Sequence, residues 1–350
     1  MKKKQKYNVA VVGVGAVGSQ MLRVLKQHKF PVGTLRVLAR SARKIKVDNC
    51  SYDVEKISAD SFSDIDFALF AGTEGAKGAA VTFAPDAVKR GAVVIDNGAD
   101  FRMKKNVPLI VPEVNGKDAK NHKGIIANPN CSTIQMVAAL APIYKKVGIN
   151  RIIVSTYQAA SGAGRSALKQ LWDESGYMYE NSDVVSAVDN PMQCKVTKDQ
   201  SFPHQIAFNV LAQIGGFADH DYTSEEWKMV HETHKIFKDK KIKVSATCVR
   251  VPVLNSHSES VYIETKKTIT PADVKKLLSK TKGLVVIDDP KKGKYPMPGP
   301  SSSNDEVFVG RIRKDPYVKN GLWLWIVSDN LRKGAATNAV QIAEYLIGKK

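Results

Sequence analysis

The sequence predicts an α/β chain: a doubly wound parallel sheet in the first third, joined to a second, α+β domain built on a mixed sheet. Three observations carry this reading. Up to residue 130, strand-like apolar runs alternate with helical segments, the pattern of a parallel sheet with crossover helices. Three of those runs end on glycine, at Gly13, Gly72 and Gly98, and the carboxyl ends of strands are where such sheets bind ligands. Beyond Cys131 the strand-like runs follow one another with fewer helices between them. The chain has 350 residues, enough for two domains and a substantial core.

The first element is the clearest. "YNVAVVGVGAVGSQMLRVLKQH" reads as a strand, a glycine-rich turn and an amphipathic helix. "GVGAVG", Gly13 to Gly18, fits GxGxxG in the strand–turn–helix context that gives the pattern meaning. Its glycines let the backbone approach a pyrophosphate at the helix N-terminus, as in a Rossmann-type dinucleotide site. A plain glycine turn is the alternative, and the context favours the cofactor. Further strands are expected at Leu35 to Ala39, Asp66 to Gly72, Ala92 to Gly98 and Ile125 to Ala127, separated by helices. The second strand ends in "LARSARK". An NAD site usually offers an acid there to the ribose hydroxyls, whereas Arg40, Ser41 and Arg43 suit a 2′-phosphate and hence NADP. An ordinary basic loop is the competing explanation.

In the second part, strands are expected at "RIIVSTYQ", "IAFNVLAQIGG", "KVSATCVRVPV", "SVYIET", "EVFVGRIR" and "GLWLWIVSD". Thr223 and Glu226 form a capping box opening the helix "SEEWKMVHETHKIF", with Trp227, Val230, His234 and Phe237 as its apolar stripe. Pro271 sits in the first turn of another helix, "PADVKKLL". The C-terminal "GAATNAVQIAEYLIG" reads as an amphipathic helix able to pack back on the first domain. The expected division is therefore 1–130, completed by 331–350, as the dinucleotide domain, and 131–330 as the catalytic and dimerisation domain.

The formal net charge is +19. Its Lys and Arg residues are spread along the chain, with dense clusters only at "KKKQK" and "FKDKKIK". There is no aromatic-interleaved RNA motif or zinc-finger spacing, so a basic solvated surface is a better reading than nucleic-acid binding. The four cysteines, Cys50, Cys131, Cys194 and Cys248, form no CxxC pair or metal spacing. That points to a reduced cytoplasmic setting and no metal. No apolar run is long enough to span a bilayer, and a glycine-rich turn interrupts the only candidate signal region.

The chemistry centres on "NPNCSTIQ". Asn128, Pro129 and Asn130 form a turn, and Cys131 follows in the first turn of a helix, where the unpaired N–H groups favour thiolate. A small residue buried under the turn is the plain alternative. Arg250 lies in an otherwise apolar strand, a costly place for a charge unless a partner such as a substrate carboxylate pairs it. A structural ion pair would serve as well. His257 lies in the polar loop "NSHSES", as a candidate acid/base or as a solvated histidine.

"NPNCSTIQ", "STYQAASGAG", "VRVPVLNSHSESV", "VGRIRKDP" and "DNLRKGAATNAVQIAE", with "GAVG" near the start, resemble aspartate-semialdehyde dehydrogenase, closest to its common bacterial form. The resemblance runs in order from about residue 7 to residue 347. It implies NADPH-dependent reduction of aspartyl 4-phosphate to the semialdehyde, with Cys131 as nucleophile and His257 as acid/base. It implies Gln158 orienting the acyl group, Arg250 binding the α-carboxylate and Glu232 the amino group, and Lys235, Arg102 and Asn130 at the phosphate or acyl oxygen. For the cofactor it points to Gly13, Val14, Gly15, Ala16 and Val17, to Arg40 and Ser41 in a loop shorter than the usual one, and to Thr73, Ser161, Gly162 and Asn330. It implies a homodimer or homotetramer. A related reductase acting on another acyl phosphate, such as N-acetyl-glutamyl phosphate, shares the Cys and His; a basic nucleic-acid-binding protein on a dehydrogenase fold is the alternative from a different class.

Overall fold

A computed structural model describes residues 4–72, 78–189 and 200–349. Thr73 and Cys194 lie outside them. Two sheets organise the chain. The first comprises β1 (Tyr7–Val12), β2 (Val32–Ala39), β3 (Arg43–Val47), β4 (Cys50–Lys56), β5 (Phe67–Phe70), β6 (Val93–Asp96) and β7 (Ile125–Ala127), in the order β3-β4-β2-β1-β5-β6-β7. All its pairings are parallel except β3 with β4. The second comprises β8 (Ile149–Gln158), β9 (Lys243–Arg250), β10 (His257–Thr265), β11 (Leu284–Val286), β12 (Val307–Lys314) and β13 (Gly321–Ser328), in the order β11-β12-β13-β10-β8-β9. Here β8–β9 and β11–β12 are parallel and the other pairs antiparallel, so the sheet is mixed.

The helices are α1 (Ala16–Gln27), α2 (Ala79–Lys89), α3 (Pro112–Asn115), α4 (Cys131–Val147), α5 (Arg165–Asn181), α6 (Val184–Asp189), α7 (Ser224–Phe237), α8 (Pro271–Leu278), α9 (Pro298–Ser301) and α10 (Thr337–Leu346). Helices α4, α7 and α8 cover one face of the second sheet. Helix α10 packs on α1, and Ala339, Val340, Ile342 and Ala343 share a core with Val9, Val11, Met21 and Leu69 of the first sheet and its helix. Among the described residues no helix is long and apolar enough to cross a membrane.

This arrangement gathers strand ends. β1, β5, β6 and β7 all finish on the same edge of the first sheet. In the second, β8 and β9 finish at the registered pair Gln158 and Arg250. β10 starts at His257 opposite Ser328, where β13 finishes. Polar residues thus sit at the edge of each sheet while the apolar middles pack.

Four expectations need correction. A β3–β4 hairpin, not a helix, follows β2: residues 43–56 alternate in exposure, and Asp48, with φ 53°, starts the tight turn. "IAFNVLAQIGG" is an irregular connection with a single bridge, Leu211 to Arg250. Glu174 Oε2 takes the N–H groups of Ile206 and Ala207 at 2.8 and 2.9 Å, so a side chain satisfies donors that a ladder would need. Helix α7 has its capping box, and of the expected stripe Val230 is buried and Phe237 stacks on Tyr144, but the buried face also takes in Met229, Thr233 and Ile236, and Trp227 stacks on His231. The C-terminal segment opens as a π-turn at Arg332–Ala336 before α10 begins.

A charged cluster ties the chain's two ends to the second sheet. His28, at the C-terminus of α1, places Nε2 2.9 Å from Asp305 and Nδ1 3.2 Å from Glu344 of α10. Arg332 also meets Asp305, at 2.9 Å, and Lys349 meets Glu344, at 3.1 Å. Hydrogen bonds to Asp305 and then Glu344 raise the His28 pKa to about 9. With the folded value above the unfolded one, this contribution is complete below about pH 6.5 and lost as pH rises through about 9. His28→Ala should therefore cost about 1–3 kcal/mol at pH 6 and little at pH 9.5. Urea melts of both proteins at the two pH values check this; a loss equal at both would show a packing effect only.

Candidate active site

The gathered strand ends enclose a cavity of about 640 Å³. The turn Asn128–Pro129–Asn130 delivers Cys131 into it as the first residue of α4. Asn130 Oδ1 accepts from the N–H groups of Ser132 and Thr133 at 3.0 and 3.3 Å, so the cap lies beside the thiol. Burial is the main force on Cys131, and with the nearby charge of Glu225 it pushes the thiol up to about 12 against the pull of Arg102, Arg250 and the Ser132 N–H. The Ser132 N–H at the helix start favours the thiolate, as do the two arginines, and burial opposes them.

Arg250 is 6% exposed, donates from Nη1 to the Ala159 carbonyl at 2.7 Å and lines the cavity. Among the described residues no acid forms an ion pair with it. Gln158 also lines the cavity and donates from Nε2 to Glu225 at 3.1 Å. Glu225 accepts from Asn130 Nδ2 at 2.8 Å and lies 3.3 Å from Lys228. Burial pushes the Glu225 carboxyl up, but Lys228, Asn130, Gln158 and Arg102 outweigh it and hold the group below its ordinary range. His257 is fully buried directly behind Gly162, where an added Cβ would come 3.1 Å from its Nε2. Its Nδ1 accepts the Ala159 N–H at 3.0 Å, so the neutral ring carries its proton on Nε2, toward the cavity. Burial, then Arg250, keeps it neutral far below its usual pKa.

The other wall is the glycine turn. Gly15, Ala16 and Val17 line the cavity at the start of α1, with Ala71 and Gly72 beside them. Gly13 takes φ 95°, and a Cβ on Gly18 would lie 1.9 Å from the Gly13 carbonyl oxygen, so both are needed for the turn itself. A Cβ on Gly15 would meet nothing within 4 Å. That open backbone is a cradle a phosphate can approach. Ser161, Gly162 and Asn330 close the cavity, with Ser161 Oγ 2.9 Å from Asn330 Nδ2. Among the described residues no group of His, Cys, Asp or Glu could hold a metal.

Comparison with known proteins decides the family. Residues 8–122 match the semialdehyde dehydrogenase NAD binding domain, and residues 140–333 match the semialdehyde dehydrogenase dimerisation domain. The chain is 50% identical over 349 residues to the aspartate-semialdehyde dehydrogenase of Aquifex aeolicus, covering 97% of this chain and 98% of that one. It belongs to the aspartate-semialdehyde dehydrogenase family. The Bacillus subtilis enzyme is 49% identical, covering 97% of each chain. The crystal structure of aspartate-semialdehyde dehydrogenase II from Vibrio cholerae, complexed with ASA, superimposes with a TM-score of 0.90 at 41% identity, covering 99% of each chain. The family reduces aspartyl phosphate to the semialdehyde, and the reading as an N-acetyl-glutamyl-phosphate reductase is not favoured.

The cavity revises several assignments. Glu232 does not line it. It is 1% exposed, pairs with Arg102 at 3.1 Å and accepts the Asn130 N–H at 2.7 Å. Burial raises its carboxyl while Arg102 and that N–H pull it back. Lys235 is equally committed, donating from Nζ to the carbonyls of Arg102, Lys104 and Val107. Asn130 lines the cavity, yet both ends of its amide are engaged by the cap and Glu225. Arg102 lines it too, tied also to the carbonyls of Asn97 and Asn128. Val14 turns into the core. Arg40 and Ser41 are exposed at the end of β2, away from the cavity wall, and Arg43 Nη1 donates to Ser41 Oγ at 3.0 Å. Sequence reasoning missed Glu225 and Lys228, whose i,i+3 spacing repeats that of Glu232 and Lys235. It also missed Gly334, where a Cβ would come 2.8 Å from that of Cys131.

Because Glu232 holds a buried cation and the turn before Cys131, Glu232→Ala should cost about 3–5 kcal/mol of stability. Glu225→Gln should melt near wild type and raise the KM for substrate. Thermal melts and steady-state kinetics of both proteins check this, and the opposite pattern would return Glu232 to the substrate.

Proposed function

We propose that this chain converts L-aspartyl 4-phosphate to L-aspartate 4-semialdehyde and phosphate, with NADPH as reductant and Cys131 as nucleophile. The observation that carries the reading is that one cavity presents a helix-start cysteine, an unpaired buried arginine, an ionised glutamate and an open glycine turn. The assignment of residues 1–130 with 331–350 to the cofactor and 131–330 to catalysis is part of the same proposal. Free Cys50, Cys131 and Cys248 suit a reducing cytoplasm. The dimerisation-domain match and the exposed Ile153 and Tyr157 on the outer face of the second sheet favour a homodimer.

Arg250 pairs the substrate α-carboxylate through its guanidinium fork. Glu225 takes the α-ammonium in place of Glu232, a group an N-acylated substrate lacks. That pairing neutralises Glu225, the second cause of the high Cys131 pKa, so bound substrate favours the thiolate. Lys228 and Arg102 hold the phosphate, Lys228 taking the role first given to Lys235. Sulfur attacks the acyl carbon, the C–O bond to phosphate breaks, and a thioester remains on Cys131, with Gln158 Nε2 orienting the acyl group. The Gly15–Val17 turn, Ser161, Gly162 and Asn330 would hold the dinucleotide, which would supply a hydride to the thioester carbon. His257 supports the acyl oxygen from Nε2–H, and collapse of the hemithioacetal returns the thiolate. The tautomer supports a hydrogen-bond-donor role for Nε2–H; taking a proton at Nε2 would first require breaking the Ala159 hydrogen bond.

Phosphate-dependent reduction of NADP with aspartate semialdehyde, run beside the N-acetyl-glutamate analogue, tests the reaction; faster turnover of the analogue would overturn it. Cys131→Ser should lose nearly all turnover and keep NADP affinity, because an alcohol ionises far less than a thiol. Cys50→Ser should stay active. Wild-type turnover in Cys131→Ser would defeat the mechanism.

For the cofactor, Arg40→Ala and Arg43→Ala should each weaken NADP by roughly ten- to a hundredfold, since a charge-assisted phosphate contact contributes about 1.5–3 kcal/mol. NAD affinity should hold. Titration of both cofactors gives the ratio, and a ratio that moves in neither variant would leave the loop as basic surface alone.

A further inference from the structure

One cation at the cavity has no part in the reaction described above. Arg165 is the first residue of α5 and lines the cavity. Its Nη2 donates to Ser19 Oγ of α1 at 3.0 Å, joining residues 146 apart in sequence. Ser19 is 5% exposed and completes the first turn of α1, where its own N–H donates to the Gly15 carbonyl at 3.0 Å. The guanidinium is thus fastened to the same helical turn that begins at the open Gly15 backbone. A guanidinium has five N–H donors, and the neutral Ser19 hydroxyl takes one of them. Among the described residues no acid forms an ion pair with Arg165, whereas Lys169, one turn further along α5, is paired with Asp173. The surroundings add to the positive charge. Neither α1 nor α5 has an acidic residue in its first turn or a side-chain cap. A cation at the start of a helix opposes the helix dipole, and here it lies at the start of two. An anion between them would satisfy all three.

We propose that Arg165 is a cofactor-binding residue: with one arm of its guanidinium held by Ser19, it meets the pyrophosphate of the dinucleotide seated on the Gly15–Val17 turn. The inference rests on the reading of that turn as the pyrophosphate seat and adds a charge from the other half of the chain. Position selects the pyrophosphate among the anions of the reaction. The substrate phosphate is assigned to Lys228 and Arg102, beside Cys131, and the 2′-phosphate to Arg40 and Ser41, at the end of β2. Arg165 is instead tied two residues beyond Val17, on the helix whose N-terminal N–H groups face the pyrophosphate. The glycine turn supplies backbone donors and no charge; Arg165 supplies the charge, and its planar fork suits two phosphate oxygens at once. Its anchor matters too. An acid would orient the guanidinium but cancel its charge, whereas the Ser19 hydroxyl orients it and leaves the charge for the ligand. The pyrophosphate is then held from both halves of the chain, by α1 of the first sheet's half and α5 of the second's.

Binding titrations with four ligands test this. Adenosine 5′-diphosphate carries a pyrophosphate and no 2′-phosphate; adenosine 2′-monophosphate carries the reverse. Arg165→Met, which keeps the aliphatic stem, should raise the Kd of NADP, NAD and adenosine 5′-diphosphate about tenfold or more and leave that of adenosine 2′-monophosphate within about twofold. The ratio of NADP to NAD affinity should stay fixed, unlike its expected change in Arg40→Ala. Arg165→Lys should fall between wild type and Arg165→Met, because it keeps the charge and loses the fork. Ser19→Ala should weaken both dinucleotides by a smaller factor. The losses in Arg165→Met and Arg40→Ala should multiply in the double variant, as for contacts to separate phosphates. If wild-type protein binds neither dinucleotide, the cofactor reading itself fails. If wild type binds them and Arg165→Met binds all four ligands as tightly, Arg165 is a surface arginine tied to Ser19 and the proposal falls. A shifted NADP to NAD ratio with weakened adenosine 2′-monophosphate would move Arg165 to the 2′-phosphate and overturn it, as would a raised KM for aspartate semialdehyde with dinucleotide affinity intact. Should Arg165→Met not fold, Arg165→Lys and Ser19→Ala still decide.

Discussion

The turn before Cys131 depends on one buried side chain from another part of the chain. Glu232 accepts the Asn130 N–H and pairs with Arg102, which grips the carbonyls of Asn97 and Asn128. Two strand ends of the first sheet and the start of α4 are thereby fastened to α7. Both charges are out of water, so the arrangement is stable only while complete, since removing either partner strands the other. Asn130 then serves both sides: its oxygen caps α4 and its amide nitrogen aims Glu225. Cys131 and Glu225 are positioned by the same asparagine.

Burial sets much of the electrostatics at the cavity. It raises the Cys131 thiol and lowers His257, and among the described residues Arg250 has no acid within ion-pair distance. Each of these groups stands away from its solution state, the condition in which a charged ligand has most effect. Glu225 already has Lys228 at 3.3 Å, whereas Arg250 has no such partner among the described residues.

Much of this was legible in the sequence because it is local. "GVGAVG" needs only its own strand and helix, and "NPNC" carries turn, cap and cavity cysteine in four adjacent residues. Arg250 stood out as a charge among apolar neighbours. What was lost is the depth of a residue along its helix. Glu225 and Glu232 are seven residues apart, two turns, so they share a stripe and differ by about 10 Å along the axis. Periodicity cannot separate them; only the fold shows that the first turn of α7 meets the cavity while the third is sealed beneath it. The run at residues 206–216 was misread for a related reason: its apolar character resembled a strand, but Glu174 holds its backbone. The contact of Arg165 with Ser19 was hidden as well, because the two are 146 residues apart.

The placement of α10 bears on how the chain is made. Its apolar face completes the core of the first sheet, yet its residues leave the ribosome long after those of that sheet. Until they emerge, Val9, Val11, Met21 and Leu69 have no cover from that side, although their strands were synthesised more than two hundred residues earlier. At about 5–20 residues per second that interval lasts tens of seconds. The nascent dinucleotide half must wait, partly open, for α10 to emerge, and a chain broken off near residue 330 would have both sheets but no closed first core.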